Sequence, residues 1–190
     1  MDALEAIFTR RSVAKVSEDC PSREEVAGLL DAAVRAPTHH LTQPWRFVVL
    51  TGPILGKLGE AMAERVLREL GDRPDIEIRA QIERDRPLRA PVIVVVVYVP
   101  SRHPAAIEAE DRYAVGAAME NLLLAAHAAG LGAHLRTGAA AADPGVHELL
   151  GLREGEEIAS FVYLGYPVNP VGTPTRRTPA PECTTWLGWP

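Results

Sequence analysis

Val92-Ile93-Val94-Val95-Val96-Val97-Tyr98-Val99 is the stretch on which the fold turns. The run is almost entirely β-branched and offers no polar face, so a strand made from it must be covered on both sides. It is expected at the centre of a sheet, and it is far too short to cross a bilayer as a helix. Just upstream, Gly71 to Pro91 is charged and turn-rich and reads as a surface helix with loops. Just downstream, about Ala105 to Ala129 reads as a long helix whose second half, Ala114 to Ala126, is apolar almost all round. A chain of 190 residues has little material with which to enclose such a helix, so a second subunit is the expected cover.

Further out, local signals place the remaining elements. Asp2 to Phe8 reads as a short helix. Ser22 is a helix N-cap with Glu25 as its capping-box partner, Val26, Leu29, Leu30, Ala33 and Val34 follow on one face, and Pro37 ends the helix. Arg46 to Thr51 reads as a strand, and Gly52-Pro53 opens a helix to about Leu70. Leu131 to Thr137 is a strand, Asp143-Pro144 starts a short helix ended by Gly151, and Ile158 to Tyr166 is another strand. The mixture is α+β. A single domain over 1–190 is expected, with about 168–190 as an extended C-terminal arm.

Composition narrows the partners. Hydrophobic residues make up 47% of the chain, enough for a sizeable core. A net charge of −5, a pI near 5.7 and the lack of a Lys/Arg-rich run argue against nucleic acid and against an anionic membrane surface. The N-terminus has no basic segment followed by a long apolar one, so a cytoplasmic location is expected. Cys20 and Cys183 are far apart and lack metal-ligand spacing, so neither a metal site nor a disulfide framework is expected.

Two segments carry chemistry. Arg10-Arg11-Ser12 offers guanidinium groups and a hydroxyl suited to phosphate oxygens. Arg35-Ala36-Pro37-Thr38-His39-His40-Leu41-Thr42-Gln43-Pro44-Trp45 offers a Pro-bounded backbone, imidazoles and an amide that suit the edge of a ring. Together they fit a phosphorylated heterocycle. Each also has a plainer reading. Arg10 and Arg11 end a predicted helix, where its dipole favours cations, His39 and His40 fit a solvated loop, and Trp45 fits a core anchor. Glu120, Asn121 and His127 on the apolar helix read as satisfied core polar groups.

Four blocks then occur in order: Arg10-Arg11-Ser12, the segment from Ala36-Pro37 to Gln43-Pro44-Trp45 with Phe47 and Val49, the segment Gly130-Leu131-Gly132 to Thr137-Gly138, and Leu164-Gly165-Tyr166-Pro167. In this the chain resembles the FMN-dependent nitroreductase family, and among its members the short bacterial NAD(P)H nitroreductases, from Ala3 to about Pro167. The resemblance implies a sandwich with a central, mostly antiparallel sheet flanked by helices, working as an intertwined homodimer with an FMN pocket at each subunit interface. It implies that Arg10, Arg11 and Ser12 hold the FMN phosphate and ribityl chain. Arg35, Pro37, Thr38 and His39 would reach the flavin from the other subunit, with Gln43 close by, while Leu135, Arg136 and Thr137 line the pocket. Where many members carry an Asn, this chain has His39-His40-Leu41, and His39 is the replacement for its contact. Arg176 and Arg177 are candidates for a C-terminal phosphate arginine.

The reaction implied is hydride transfer from NADH or NADPH through flavin N5 to an electron-poor small molecule such as a nitroaromatic or quinone. The cofactor carries that chemistry, so no side-chain nucleophile, triad or metal is required. Arg35 and Arg136 both remain candidates for the cation that tunes the flavin. Two other functions are compatible with the same residues: a flavin-binding or sensing module without turnover, and an FMN dehydrogenase on the same fold.

Overall fold

The computed structural model describes residues 1–169, 172 and 176–189. Four strands, β1 (Trp45–Thr51), β2 (Val92–Tyr98), β3 (Gly132–Arg136) and β4 (Glu157–Gly165), form one sheet in the order β1-β2-β4-β3, each neighbouring pair antiparallel. The strand built from the valine run is central, and all of it is buried. Its alternation divides the core. Val92, Val94, Val96 and Tyr98 join one apolar cluster, while Ile93, Val95 and Val97 join another on the opposite face. Each fully buried side chain of this kind contributes about 1.5–3 kcal/mol.

The first face is covered by α2 (Arg23–Ala33) and α5 (Glu108–Ala128), and the second by α3 (Pro53–Leu70) and α6 (Pro144–Leu149). The capping box of α2 is formed: Glu25 N–H donates to Ser22 Oγ at 3.2 Å, and Ser22 N–H donates to Glu25 Oε2 at 2.8 Å. The long helix starts at Glu108, a little later than expected, because Pro104 and Ala105 form a turn ahead of it. The helix expected in the charged stretch is Ile76–Asp85, α4, and it packs on α3. Gly59 makes that packing possible, because a Cβ there would lie 2.1 Å from the carbonyl oxygen of Arg84.

A short helix, α1 (Ala3–Thr9), precedes the Arg-Arg-Ser segment. The chain then crosses the end of the sheet: Val13 N–H donates to Ala133 O at 2.9 Å, Ser17 N–H donates to Tyr166 O at 2.8 Å, and Val16 bridges Pro167. Beyond the sheet, Ala180–Cys183 forms a single turn, and Trp186 and Trp189 stand exposed with their rings 5.8 Å apart. Residues 170, 171, 173–175 and 190 of the expected arm lie outside the described residues. Among the described residues no helix is long and apolar enough to cross a membrane.

Candidate functional site

Three of the sequence blocks meet where the N-terminal strap crosses the sheet. Gly132 and Gly165 are cross-strand partners on β3 and β4. A Cβ on Gly132 would stand 2.8 Å from Val13 Cγ1, and one on Gly165 would stand 2.8 Å from Val16 Cβ. The two glycines therefore leave the space in which Val13 and Val16 lie, and this seats Arg10, Arg11 and Ser12 beside the β3 edge. The second Gly of Gly130-Leu131-Gly132 and the Gly of Leu164-Gly165-Tyr166-Pro167 are spacing devices for the strap.

The two arginines differ in their surroundings. Arg10 Nε donates to Glu120 Oε1 on α5 at 3.0 Å. Arg11 Nε and Nη1 are buried and have no hydrogen-bond acceptor among the described residues. Buried donors are nearly always satisfied, so these two atoms, like Nε of Arg65 and of Arg86, leave room for an acceptor beyond the described residues. Ser12 is exposed beside them. His127 backs this corner with its Nε2 2.8 Å from Thr9 Oγ1. Burial, then Arg11 and Arg10, push its pKa below the ordinary value, keeping the imidazole neutral behind the cations.

On β3 the side chains divide by face. Leu135 turns toward the α2/α5 cluster, whereas Arg136 faces the other side of the sheet with its guanidinium 5.6 Å from the Tyr163 ring centroid. Arg136 has no ion pair among the described residues. Arg136 and Thr137 line a recess of about 130 Å³ with Arg65, Glu83, Arg86 and Gly138. Arg86 is paired to Glu83 at 2.7 Å, and Arg65 to Glu69 at 2.5 Å, so Arg136 is the uncommitted cation of the group. His134, on the same face, is held below its ordinary pKa by burial and by Arg136. Arg65 and Arg86 were not singled out by sequence; Arg86 lay in the charged stretch from Gly71 to Pro91, and Arg65, on α3, carried no signal.

The second segment lies elsewhere. Pro37, Thr38 and His39 line an open depression of about 560 Å³ against Glu110, Tyr113, Ala114 and Ala117 of α5. His39 Nε2 lies 3.9 Å from Glu110 Oε2, and His40 stacks on His103 with centroids 4.8 Å apart. Arg35 faces a separate groove of about 440 Å³ with Asn121 and Leu124. Gln43 is exposed. Within one chain, then, Arg11 and Ser12 lie on the strap, whose Val13 and Ala14 line a small cleft with Arg136; Arg136 and Thr137 line the recess on the other side of the sheet from α5, and Thr38 and His39 lie against α5. The structure does not bring these residues into one cavity: the recess and the depression share no lining residue. Arg176 and Arg177 are exposed in the C-terminal segment.

Comparison with known proteins supplies the kinship. A model of the family described as "Nitroreductase family" matches residues 7–166. The chain belongs to the nitroreductase family. YdjA of Escherichia coli (strain K12), provisionally named an NAD(P)H nitroreductase, is 34% identical over 167 residues, covering 88% of this chain and 89% of YdjA. Among solved structures, a nitroreductase-like family protein from Bacillus cereus superposes with a TM-score of 0.84 at 28% identity, covering all of this chain and 97% of that one. A provisionally named nitroreductase from Desulfovibrio desulfuricans, solved in complex with FMN, gives a TM-score of 0.73 at 28% identity, with 98% of this chain and 97% of that chain covered. The region matched to the nitroreductase family contains the strap, the Pro37 segment, β3 and the Gly132–Gly165 crossing, and it stops before Arg176 and Arg177.

Proposed function

We propose that this nitroreductase-family protein is an FMN-dependent oxidoreductase that uses NADH or NADPH to reduce an electron-poor acceptor such as a nitroaromatic or a quinone. The observation that carries the proposal is the pair of buried, unsatisfied guanidinium nitrogens on Arg11, next to the exposed hydroxyl of Ser12. That donor set fits a phosphate monoester, the group at the end of the FMN ribityl chain. FMN held there would supply the two-electron chemistry that links the nicotinamide donor to the acceptor.

The residues of the chain bind and orient. Arg11 and Ser12 hold the phosphate, with Arg10 alongside and already tied to Glu120. Arg136, which makes no ion pair among the described residues, would add positive charge to the pocket and favour the ring's taking on electrons. Thr137 and the backbone at Leu135 complete that wall. Arg35, Pro37, Thr38, His39 and Gln43 belong to the second wall, contributed by a second copy of the chain in a homodimer. Two observations support this arrangement: one chain does not join the two groups, and α5 and α1 carry uncovered apolar side chains, with Tyr113 75% and Phe8 72% exposed. The test is steady-state oxidation of NADH and NADPH with a quinone, with FMN added or withheld. FMN-dependent turnover with at least one nucleotide is expected; oxidation indifferent to FMN sinks the proposal.

A further inference from the structure

The loop between Pro37 and Pro44 contains three non-glycine residues in the left-handed region, His40 (φ 50°), Leu41 (φ 54°) and Gln43 (φ 44°). Such backbone persists only where its surroundings hold it, and it gathers at ligand clamps. One line of hydrogen bonds holds it here. Thr42 Oγ1 donates to Asp111 Oδ1 at 2.6 Å, Thr38 Oγ1 lies 2.9 Å from Thr42 Oγ1, and Gln43 N–H donates to Thr38 Oγ1 at 3.0 Å. The proton order is forced, because Thr42 has one hydroxyl proton and gives it to the carboxylate. Thr38 then donates to Thr42, and its own oxygen is left to accept from Gln43.

Asp111 is 2% exposed, makes no ion pair among the described residues, and caps no helix of its own. It sits in the first turn of α5, where the helix dipole favours a carboxylate. We infer that Asp111 is a positioning residue, anchoring through Thr42 and Thr38 the strained loop that presents His39 to the flavin of the second subunit. The role rests on the FMN reading above. Asp111 touches neither substrate nor cofactor; it acts by fixing the wall against which the acceptor is seated.

The experiment compares FMN-loaded wild type, Thr42→Val, Thr42→Ser and Asp111→Asn. Thr42→Val removes the donor while keeping the shape, and it is expected to raise KM for a quinone about tenfold, the ratio for losing one charge-assisted hydrogen bond. It should also alter the visible flavin band and speed hydrogen exchange at the Gln43 amide. Thr42→Ser should restore all three readouts, and Asp111→Asn, which keeps an acceptor but not the charge, should fall between. A Thr42→Val protein that melts earlier yet keeps KM, flavin band and Gln43 exchange overturns the inference and leaves Asp111 a purely structural group. Wild type that takes up no FMN overturns the flavin reading and this role with it. Gln43 exchange, which needs no flavin, shows separately whether the anchor itself exists.

Discussion

Arg10 and Arg11 are neighbours in sequence with opposite commitments. The first is held by Glu120, and the second keeps two buried nitrogens without a partner. Arg11→Ala should therefore weaken FMN binding more than Arg10→Ala does, by about ten- to a hundredfold, the scale of one or two charge-assisted hydrogen bonds. Titration of FMN into each variant, followed by flavin fluorescence, checks this; equal losses would mean that Arg10 leaves Glu120 to share the phosphate. The sequence displays both arginines as one motif, because the residue that separates their roles lies 110 positions away. The left-handed loop was likewise hidden. Leu41 and Gln43 are not residues that advertise positive φ, and the Asp111 carboxyl that accepts from Thr42 in this loop lies 69 positions away. At the strap crossing the glycines were visible but their purpose was not. Gly165→Ala should push Val16 and the strap outward, lowering the melting temperature by several degrees, for about 1–3 kcal/mol of overpacking in a domain of this size, and loosening FMN retention. Thermal melts with and without FMN measure both effects.

Elements whose signals are local were legible. The capping box of α2 needs only Ser22 and Glu25, and the central strand needs only its own unbroken run of apolar residues. Helix α4 was expected within the charged stretch, but its docking was not legible, because its interior anchor is the small Ala80 and it packs by close approach to α3 at Gly59 rather than through an amphipathic stripe. The tie between β1 and the turn before β4 is equally non-local. Arg46 makes a two-pronged contact with buried Glu156, Nε to Oε1 at 2.9 Å and Nη2 to Oε2 at 2.6 Å. Hydrogen bonding from Arg46 holds the Glu156 carboxyl below the usual carboxylate range. A carboxylate depressed in the folded state stabilises above the unfolded pKa of about 4.3, and that stabilisation fades as pH falls through the lower folded value. Glu156→Gln should cost about 3 kcal/mol at neutral pH, as expected when one partner of a buried pair is removed. It should also flatten the decline of melting temperature on the acid side of pH 4. An unchanged acid limb in the variant would show that other carboxylates carry that decline.

At the scale of the molecule, one chain presents two half-sites. The strap with Arg11 and, from β3 itself, Arg136 form one part, while Thr38 and His39 lie against α5 beside exposed Tyr113. From sequence the apolar second half of α5 was expected to need a second subunit as cover; within the chain Ala114, Val115, Ala118, Leu122, Leu123 and Ala126 are already buried and Glu120 is exposed. What sequence could not display is the spatial separation of the two motifs, which depends on which face of the sheet each strand and helix presents. A homodimer that joins the halves around FMN accounts for both features at once. The most direct test is an absorbance spectrum of FMN-loaded protein after desalting, recorded without oxygen before and after addition of NADH, then NADPH, then a quinone. Flavin is expected to stay with the protein in equal number to chains, to be bleached by at least one nucleotide, and to recover its colour with the quinone. Flavin that washes away, or that stays yellow with both nucleotides, contradicts the FMN reading.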